Sequence, residues 1–302
     1  MKRKTLAALL VTAALAGACE AREIFVNNVA GADNLDGLSD RASGRAGPVR
    51  TISRALCLAL PGDHVLLTDT GVPYREQVSI AGPRLHGSER RPLVLDGRGA
   101  VLDGTVEAAP GAWRPAVGNV FALALRRLST QQLFSAGEPL KRVSLTRSAD
   151  APLALEPLEW SLVDRRLLVK LEQDRLPESY DLRHAGLETG VTLYNTHHVI
   201  VRNLVVQGFH LDGLNAHELV RDCLVDNIDS RANGRSGLSV GGVSRVEAIA
   251  SNFYDNGRVQ VRVEGQAELA LESCEVAASE GAAKFKTAGG ELKVNGQAVV
   301  AP

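Results

Sequence analysis

Gly190-Val191-Thr192-Leu193, Gly213-Leu214-Asn215-Ala216, Gly237-Leu238-Ser239-Val240, Gln260-Val261-Arg262-Val263 and Lys284-Phe285-Lys286-Thr287 are one short unit written five times. The second position is apolar in every copy, and the copies step by 23, 24, 23 and 24 residues. Inside each unit, alternate side chains point to opposite faces, the period of a strand with one buried face. A second set, Val201-Arg202-Asn203-Leu204, Val220-Arg221-Asp222-Cys223, Ile249-Ala250-Ser251-Asn252 and Leu271-Glu272-Ser273-Cys274, carries a small polar residue among mostly apolar ones. Units this short cannot bury an apolar face alone, so they must stack as a solenoid. No helix-length pattern separates them, which excludes leucine-rich and helical repeats. The chain reads as all-β, a parallel β-helix.

Composition agrees. Hydrophobic content is 45%, aromatics are 4%, and there are 29 glycines, which suits a narrow aliphatic core between tight corners. The net charge of −1 gives no electrostatic basis for binding nucleic acid. No long apolar run lies beyond the N-terminus, so no transmembrane segment is expected. The protein is expected to be a monomer.

Residues 1–21 read as an export signal. Lys2-Arg3-Lys4 supplies the positive start, Leu6 to Gly17 the apolar core, and Ala18 to Ala21 the small residues before cleavage. The expected location is secreted or periplasmic. The alternative is an outer-membrane lipoprotein, because Leu15-Ala16-Gly17-Ala18-Cys19 resembles a lipobox that would lipidate Cys19. Cys57, Cys223 and Cys274 remain. Placing Cys223 and Cys274 in one column two strands apart separates them by roughly 9–10 Å, beyond disulfide reach. All three read as small buried thiols.

Residues 22–104 form the opening turns. Ile24-Phe25-Val26 is a strand, and residues 48–60 read as a short helix that starts at Pro48 or Thr51, ends at Pro61-Gly62-Asp63 and caps the open end. Strands follow at His64–Thr68, Gln77–Ile80, Pro92–Leu95 and Ala100–Leu102. Residues 105–180, which hold both tryptophans, break the rhythm and read as a β-rich insertion with its own small core. It is either one wall of a binding groove or a packing elaboration. Residues 181–302 carry the main coils.

The run Ile24-Phe25-Val26, Gly47-Pro48-Val49-Arg50-Thr51-Ile52-Ser53-Arg54-Ala55-Leu56, Pro61-Gly62-Asp63-His64-Val65 and Tyr74-Arg75-Glu76-Gln77-Val78 resembles the N-terminal cap of bacterial right-handed parallel β-helix proteins of the pectin-lyase-like superfamily. The resemblance extends over nearly all of the chain after the signal and implies a secreted, carbohydrate-active protein. It does not choose a reaction, because lyases, hydrolases, epimerases and phage-tail proteins share the scaffold. It also implies that substrate lies on the outer face of the Gly190–Thr287 ladder, together with the loops that enter it.

On that face, alternation predicts an outer column of Thr192, Asn215, Ser239, Arg262 and Lys286, and a second of Tyr194, His217, Gly241 and Glu264. A third outer column is expected at Gly190, Gly213, Gly237, Gln260 and Lys284. The loops add His210, Asp212, Asp226, Asp229, Arg231, Arg235 and Asp255. Tyr194 and His217, with His210 and Asp212 beside them and Arg262 nearby, are the candidate catalytic residues, since Tyr/His pairs share acid and base duties. Asn215, Arg235, Asp229 and Lys286 are the candidate substrate-binding residues. Arg262 and Lys286 on adjacent rungs would neutralise a uronate for elimination, and are similar to the Lys/Arg pair of chondroitinase B-type lyases. Those enzymes also hold calcium with acidic clusters, and no Glu-x-Glu lies near Asn215 or Ser239. No cofactor is therefore expected; calcium is possible. Asp212, Asp226 and Asp255 are the alternative carboxylates for hydrolysis. His197-His198 lacks a third ligand in the sequence, so no metal site is assigned there. Asn203, Asp222, Ser251 and Ser273 are read as a structural turn column, and Asp226-Asn227 with Asp255-Asn256 as one turn repeated on successive coils.

Three functions follow. The first is an exported enzyme on extracellular polysaccharide, lyase-like more than glycoside hydrolase-like. The second is a non-catalytic glycan- or surface-binding β-helix, and the third a structural envelope protein.

Overall fold

The computed structural model describes residues 21–125, 130–145, 154–279 and 281–299. Residues 1–20 of the expected export signal, Cys19 among them, lie outside these residues. Three parallel strand stacks wind around one aliphatic core. The ladder stack has six rungs, Val78–Ala81, Val191–Tyr194, Asp212–His217, Ser236–Val240, Val259–Glu264 and Ala283–Ala288. Its register places Val78, Val191, Leu214, Leu238, Val261 and Phe285 in one column. That is the column expected from the repeat, with one more rung at the N-terminal end. The first five are buried and Phe285, on the last rung, is half-buried.

A second stack runs from Glu23–Val26 through His64–Leu67, Leu93–Asp96, the first half of Val199–Gln207, the first half of Cys223–Arg231, Arg245–Ile249 and Glu268–Glu272 to Glu291–Val294. The third stack holds Val101–Asp103, the second halves of the two long strands, Asn252–Tyr254 and Glu275–Val276. The bend between them sits at Asn203, Asn227, Ala250 and Ser273, each with φ between 46° and 55°. Asp222 is not in this column: it pairs with the opposite corner, where His198 has the same φ of 51°. Val220–Cys223 mimics the corner sequence but lies one corner away. Cys223 accordingly aligns with Val246 and Cys274 follows Ser273, so the two thiols occupy different columns. Cys57 is exposed rather than buried, on the outer side of its helix.

Among the described residues one α-helix, Ile52–Leu58, occupies the expected segment; it is shorter than 48–60 because Val49 is bridged to Val26 and the backbone is extended at Thr51 and again at Ala59. The Thr51 hydroxyl accepts from the Arg54 N–H at 3.0 Å, and the Glu76 carboxylate takes the Ile52 and Ser53 N–H groups at 2.8 and 2.9 Å. Ile52, Ala55 and Leu56 join the solenoid core.

The insertion leaves after Gly104 and returns at Gly186. Thr105–Glu107 pairs antiparallel with Leu182–Ala185, so the inserted strands extend five residues past the expected boundary at 180. Two four-stranded sheets enclose a separate core around Trp160, Phe121, Leu167 and Val169. The insertion rests on the corner between the third stack and the ladder. There the approach to Gly234 is so close that a Cβ would meet the Thr130 and His210 carbonyl oxygens.

Candidate functional site

The ladder strands carry their central polar residues on the side away from the core, all at least partly exposed except Ser239, which is buried. Register places Ser79, Thr192, Asn215, Ser239, Arg262 and Lys286 side by side. The next outer pair, Tyr194 and His217, stands on adjacent rungs with ring centroids 4.8 Å apart and planes at 62°. The Tyr194 residue is 40% exposed, as is the His217 side chain, so both rings present a face to solvent.

The expected catalytic set is only partly brought together. Asp212 is not on a loop but opens the strand Asp212–His217, and it is fully buried. Its carboxylate receives Arg235 Nε at 2.9 Å, Arg235 Nη2, Ser236 Oγ at 2.6 Å and Asn215 Nδ2 at 3.1 Å. The Asp212 carboxylate in turn raises the Arg235 pKa above its ordinary value. His210 is buried beneath the insertion, 3.3 Å from Thr130 Oγ1. Neither residue touches the Tyr194–His217 pair through any of these contacts. Arg262 turns along its own strand to the Glu264 carboxylate, and its buried Nε has no hydrogen-bond partner. Lys286 is exposed on the neighbouring rung.

Asp229 belongs elsewhere. It pairs with Val205 and Asn252 in the third stack, where Asn252 Nδ2 donates to it at 2.6 Å. The expectation that it sits on a loop entering the ladder fails because Cys223–Arg231 continues through the corner as one strand. Asp226 and Asp255 are not equivalent either: Asp226 aligns with Arg202 and Ile249, whereas Asp255 follows Tyr254 at the next corner.

Of the expected outer column, Lys284 on the last rung is exposed, but Gly190, Gly213, Gly237 and Gln260 are buried and do not face solvent. A Cβ on Gly213 would lie 2.1 Å from Ser230 Oγ and 2.7 Å from Asn233 Nδ2. The strands bend where they leave the corner, so this position points inward with its neighbour. The space is taken by a buried amide ladder that the sequence reading missed. Asn233 Nδ2 donates to Asn256 Oδ1 at 3.0 Å, Asn256 Nδ2 to Gln260 Oε1 at 2.9 Å, and Gln260 Nε2 to Ser279 Oγ at 3.2 Å. Asn233, Asn256 and Gln260 are fully buried. The spacing of Asn233 and Asn256, one rung apart, was the available signal.

Where the insertion meets the corner, a cavity of about 300 Å³ is lined by Gln132, Leu140, Arg142, Asp255, Asn256 and Ser279 among others. Burial and the nearby Arg258 lower the Arg142 pKa. At the opposite corner His86 joins the His197-His198 pair, 4.5 Å from His197 by ring centroids. Among the described residues, no group of three or more His, Cys, Asp and Glu side chains is arranged to hold a metal ion. No helix there is long and apolar enough to cross a membrane.

No protein-family model matches the sequence, and no curated protein matches it. Two solved structures align with it. One, described as a glycoside hydrolase, aligns with a TM-score of 0.59 at 12% identity over 89% of this chain and 74% of its own. The other, XylC in complex with xylose, aligns at 0.45 and 12% identity over 90% of this chain and 69% of its own. At this identity the first likeness shows a shared fold.

Proposed function

We propose that the protein binds an extracellular polysaccharide along the outer face of its ladder. The observation that carries this reading is the unbroken row Ser79, Thr192, Asn215, Ser239, Arg262 and Lys286, bordered by the exposed Tyr194–His217 rings. Six rungs at ~4.8 Å spacing make a row about 24 Å long, with accessible hydrogen-bonding groups on five of them and Ser239 buried between Asn215 and Arg262. An extended chain of hydroxyl-bearing rings matches such a row, and the two aromatic rings offer it apolar area at low entropic cost. Arg262 and Lys286 at one end favour a chain that carries carboxylates there. The sequence resemblance to pectin-lyase-like proteins and a fold shared with a glycoside hydrolase agree with this reading without carrying it.

A second reading, catalysis by β-elimination, is favoured by the ring pair itself. His217 would take the proton beside a uronate carboxylate and Tyr194 would return one to the leaving oxygen, while Lys286, three rungs from His217 and so about 14 Å away, would hold a carboxylate further along the chain rather than the reacting unit. Hydrolysis fits less well. Asp212 is buried in its ion pair with Arg235, and Glu264, in the outer column with Tyr194 and His217, is held by the Arg262 guanidinium. A glycosidase pair needs two carboxyl groups able to reach the scissile bond.

The test is calorimetric titration with neutral and uronic oligosaccharides, alongside absorbance of unsaturated products and a reducing-end assay. Binding without turnover supports the first reading, and unsaturated product supports the second. Failure of every glycan to bind, with no product, rejects both.

A further inference from the structure

We propose that a cavity at the root of the insertion binds one unit of a neutral saccharide, independently of the ladder. The cavity, about 400 Å³, lies between the outgoing segment Glu107–Trp113 and the returning segment Pro177–Leu182. That volume falls within the range of small-ligand sites, in which apolar and aromatic walls carry a few placed polar groups. None of its lining residues belongs to a ladder strand.

Its walls have the required chemistry. Trp113 and Tyr180 border it, both half-buried and both packed against the insertion core. The Tyr180 hydroxyl donates to Glu172 Oε2 at 3.0 Å, which fixes the ring before any ligand arrives. Two rigid ring surfaces on one cavity bury the apolar C–H face of a pyranose with little entropy lost. Glu107, Glu178 and Asp181 supply carboxylate oxygens around the same space. Each accepts hydroxyl hydrogens, and charge-assisted bonds of this kind are the strong ones. Arg183 lies within ion-pair distance of Glu107 and Asp181 but not of Glu178. The cavity rim is therefore net negative. It repels uronates and sulfated sugars, so the specificity against charged units comes from repulsion rather than shape. The neutral preference is the opposite of that expected at the Arg262–Lys286 end of the ladder.

The chain supplies its own probe. It has two tryptophans, of which Trp160 is fully buried with its Nε1 bonded to the Leu140 carbonyl at 2.9 Å. A sugar entering the cavity contacts Trp113 alone. Tryptophan fluorescence is followed while xylo-, gluco-, manno- and galacto-oligosaccharides, oligogalacturonate and calcium chloride are titrated separately. The expected result is a saturable change with at least one neutral series and none with oligogalacturonate or calcium. That change persists in the Tyr194→Ala/His217→Ala variant, which disables the ladder. It weakens about ten-fold or more in Glu178→Ala/Asp181→Ala, the loss expected for hydrogen bonds to charged groups. Both carboxylates are exposed, and Glu178→Gln/Asp181→Asn provides a second, isosteric pair if the alanine protein melts early. No fluorescence response to any neutral sugar, a response to calcium only, or one unchanged by the acidic-pair variants overturns the proposal. Loss of the response in the ladder variant also overturns it, because the signal would then come from the ladder.

Discussion

Arg235 and Asp212, one turn of the solenoid apart, form a bidentate ion pair on the ladder, with the carboxylate fully buried and Ser236 and Asn215 bonded to it as well. The Arg235 and Ser236 bonds to this carboxylate join adjacent rungs, and the Asn215 bond ties it to its own strand. Removing one partner of such a pair strands the other, and that penalty exceeds the net worth of the pair. Asp212→Ala is therefore expected to destabilise the fold by about 3 kcal/mol, short of the upper limit because the Arg235 side chain keeps some solvent contact. Urea unfolding of the variant measures it. A midpoint equal to that of the parent would show that the pair is dispensable.

The core column gives a sharper result. Leu238 is 1% exposed between Leu214 and Val261 on neighbouring rungs. Leu238→Asp buries an unpaired carboxylate at a cost of several kcal/mol against a total stability of about 5–15 kcal/mol. Insoluble or unfolded protein is expected. A soluble variant with a cooperative melt refutes the register.

The amide ladder is expected to be as demanding as the apolar core. Asn233→Ala leaves the Phe209 N–H, now bonded to Asn233 Oδ1 at 3.1 Å, without its acceptor, and breaks the link to Asn256. The expected loss is about 2–3 kcal/mol. Gly213→Ala drives a methyl group into Ser230 and Asn233 and should cost a similar amount, about 1–3 kcal/mol. Denaturant melts of both variants decide whether the ladder is a support or a passive filler.

The boundary between what the residues reveal and what they conceal runs through these same positions. Val191, Leu214, Leu238, Val261 and Phe285 were legible because each strand exposes one face and buries the other, so period and spacing agree. The second register was not. Val220-Arg221-Asp222-Cys223 has the same apolar–polar alternation as Val201–Leu204, and only the hydrogen-bonded register shows that it lies at a different corner. Simple alternation also misplaced Gly190, Gly213 and Gly237, because the strands bend at the corner and Asp212, Gly213 and Leu214 are all buried in succession. At the candidate site, the closeness of Tyr194 and His217 followed from register. The burial of Asp212 and His210 did not, since it depends on Arg235 from the next turn and on Thr130 from the insertion.

Stability should fall on mild acidification. Burial holds His184 below its ordinary 6.5, and burial with the neighbouring His86 and His198 does the same for His197. A group whose pKa is depressed on folding binds its proton more readily in the unfolded chain. Its contribution is then complete above about pH 6.5 and is lost as pH drops from there through the folded value. Melting temperature should decline between about pH 7.5 and 5.5, and His184→Gln should flatten part of that decline. A melting temperature that rises over the same window would contradict the sign.

The central claim is that a glycan lies along the ladder, and affinity as a function of oligosaccharide length tests it most directly. The measurement is a calorimetric series from monosaccharide to long oligomer of whichever polymer binds, on the parent and on Tyr194→Ala/His217→Ala. Affinity should climb with each added unit until the chain fills the row of about 24 Å, then level off. The double variant should bind every length about ten-fold more weakly, at the cost of the two ring contacts. Affinity independent of length, or unchanged when both rings are removed, would contradict the account.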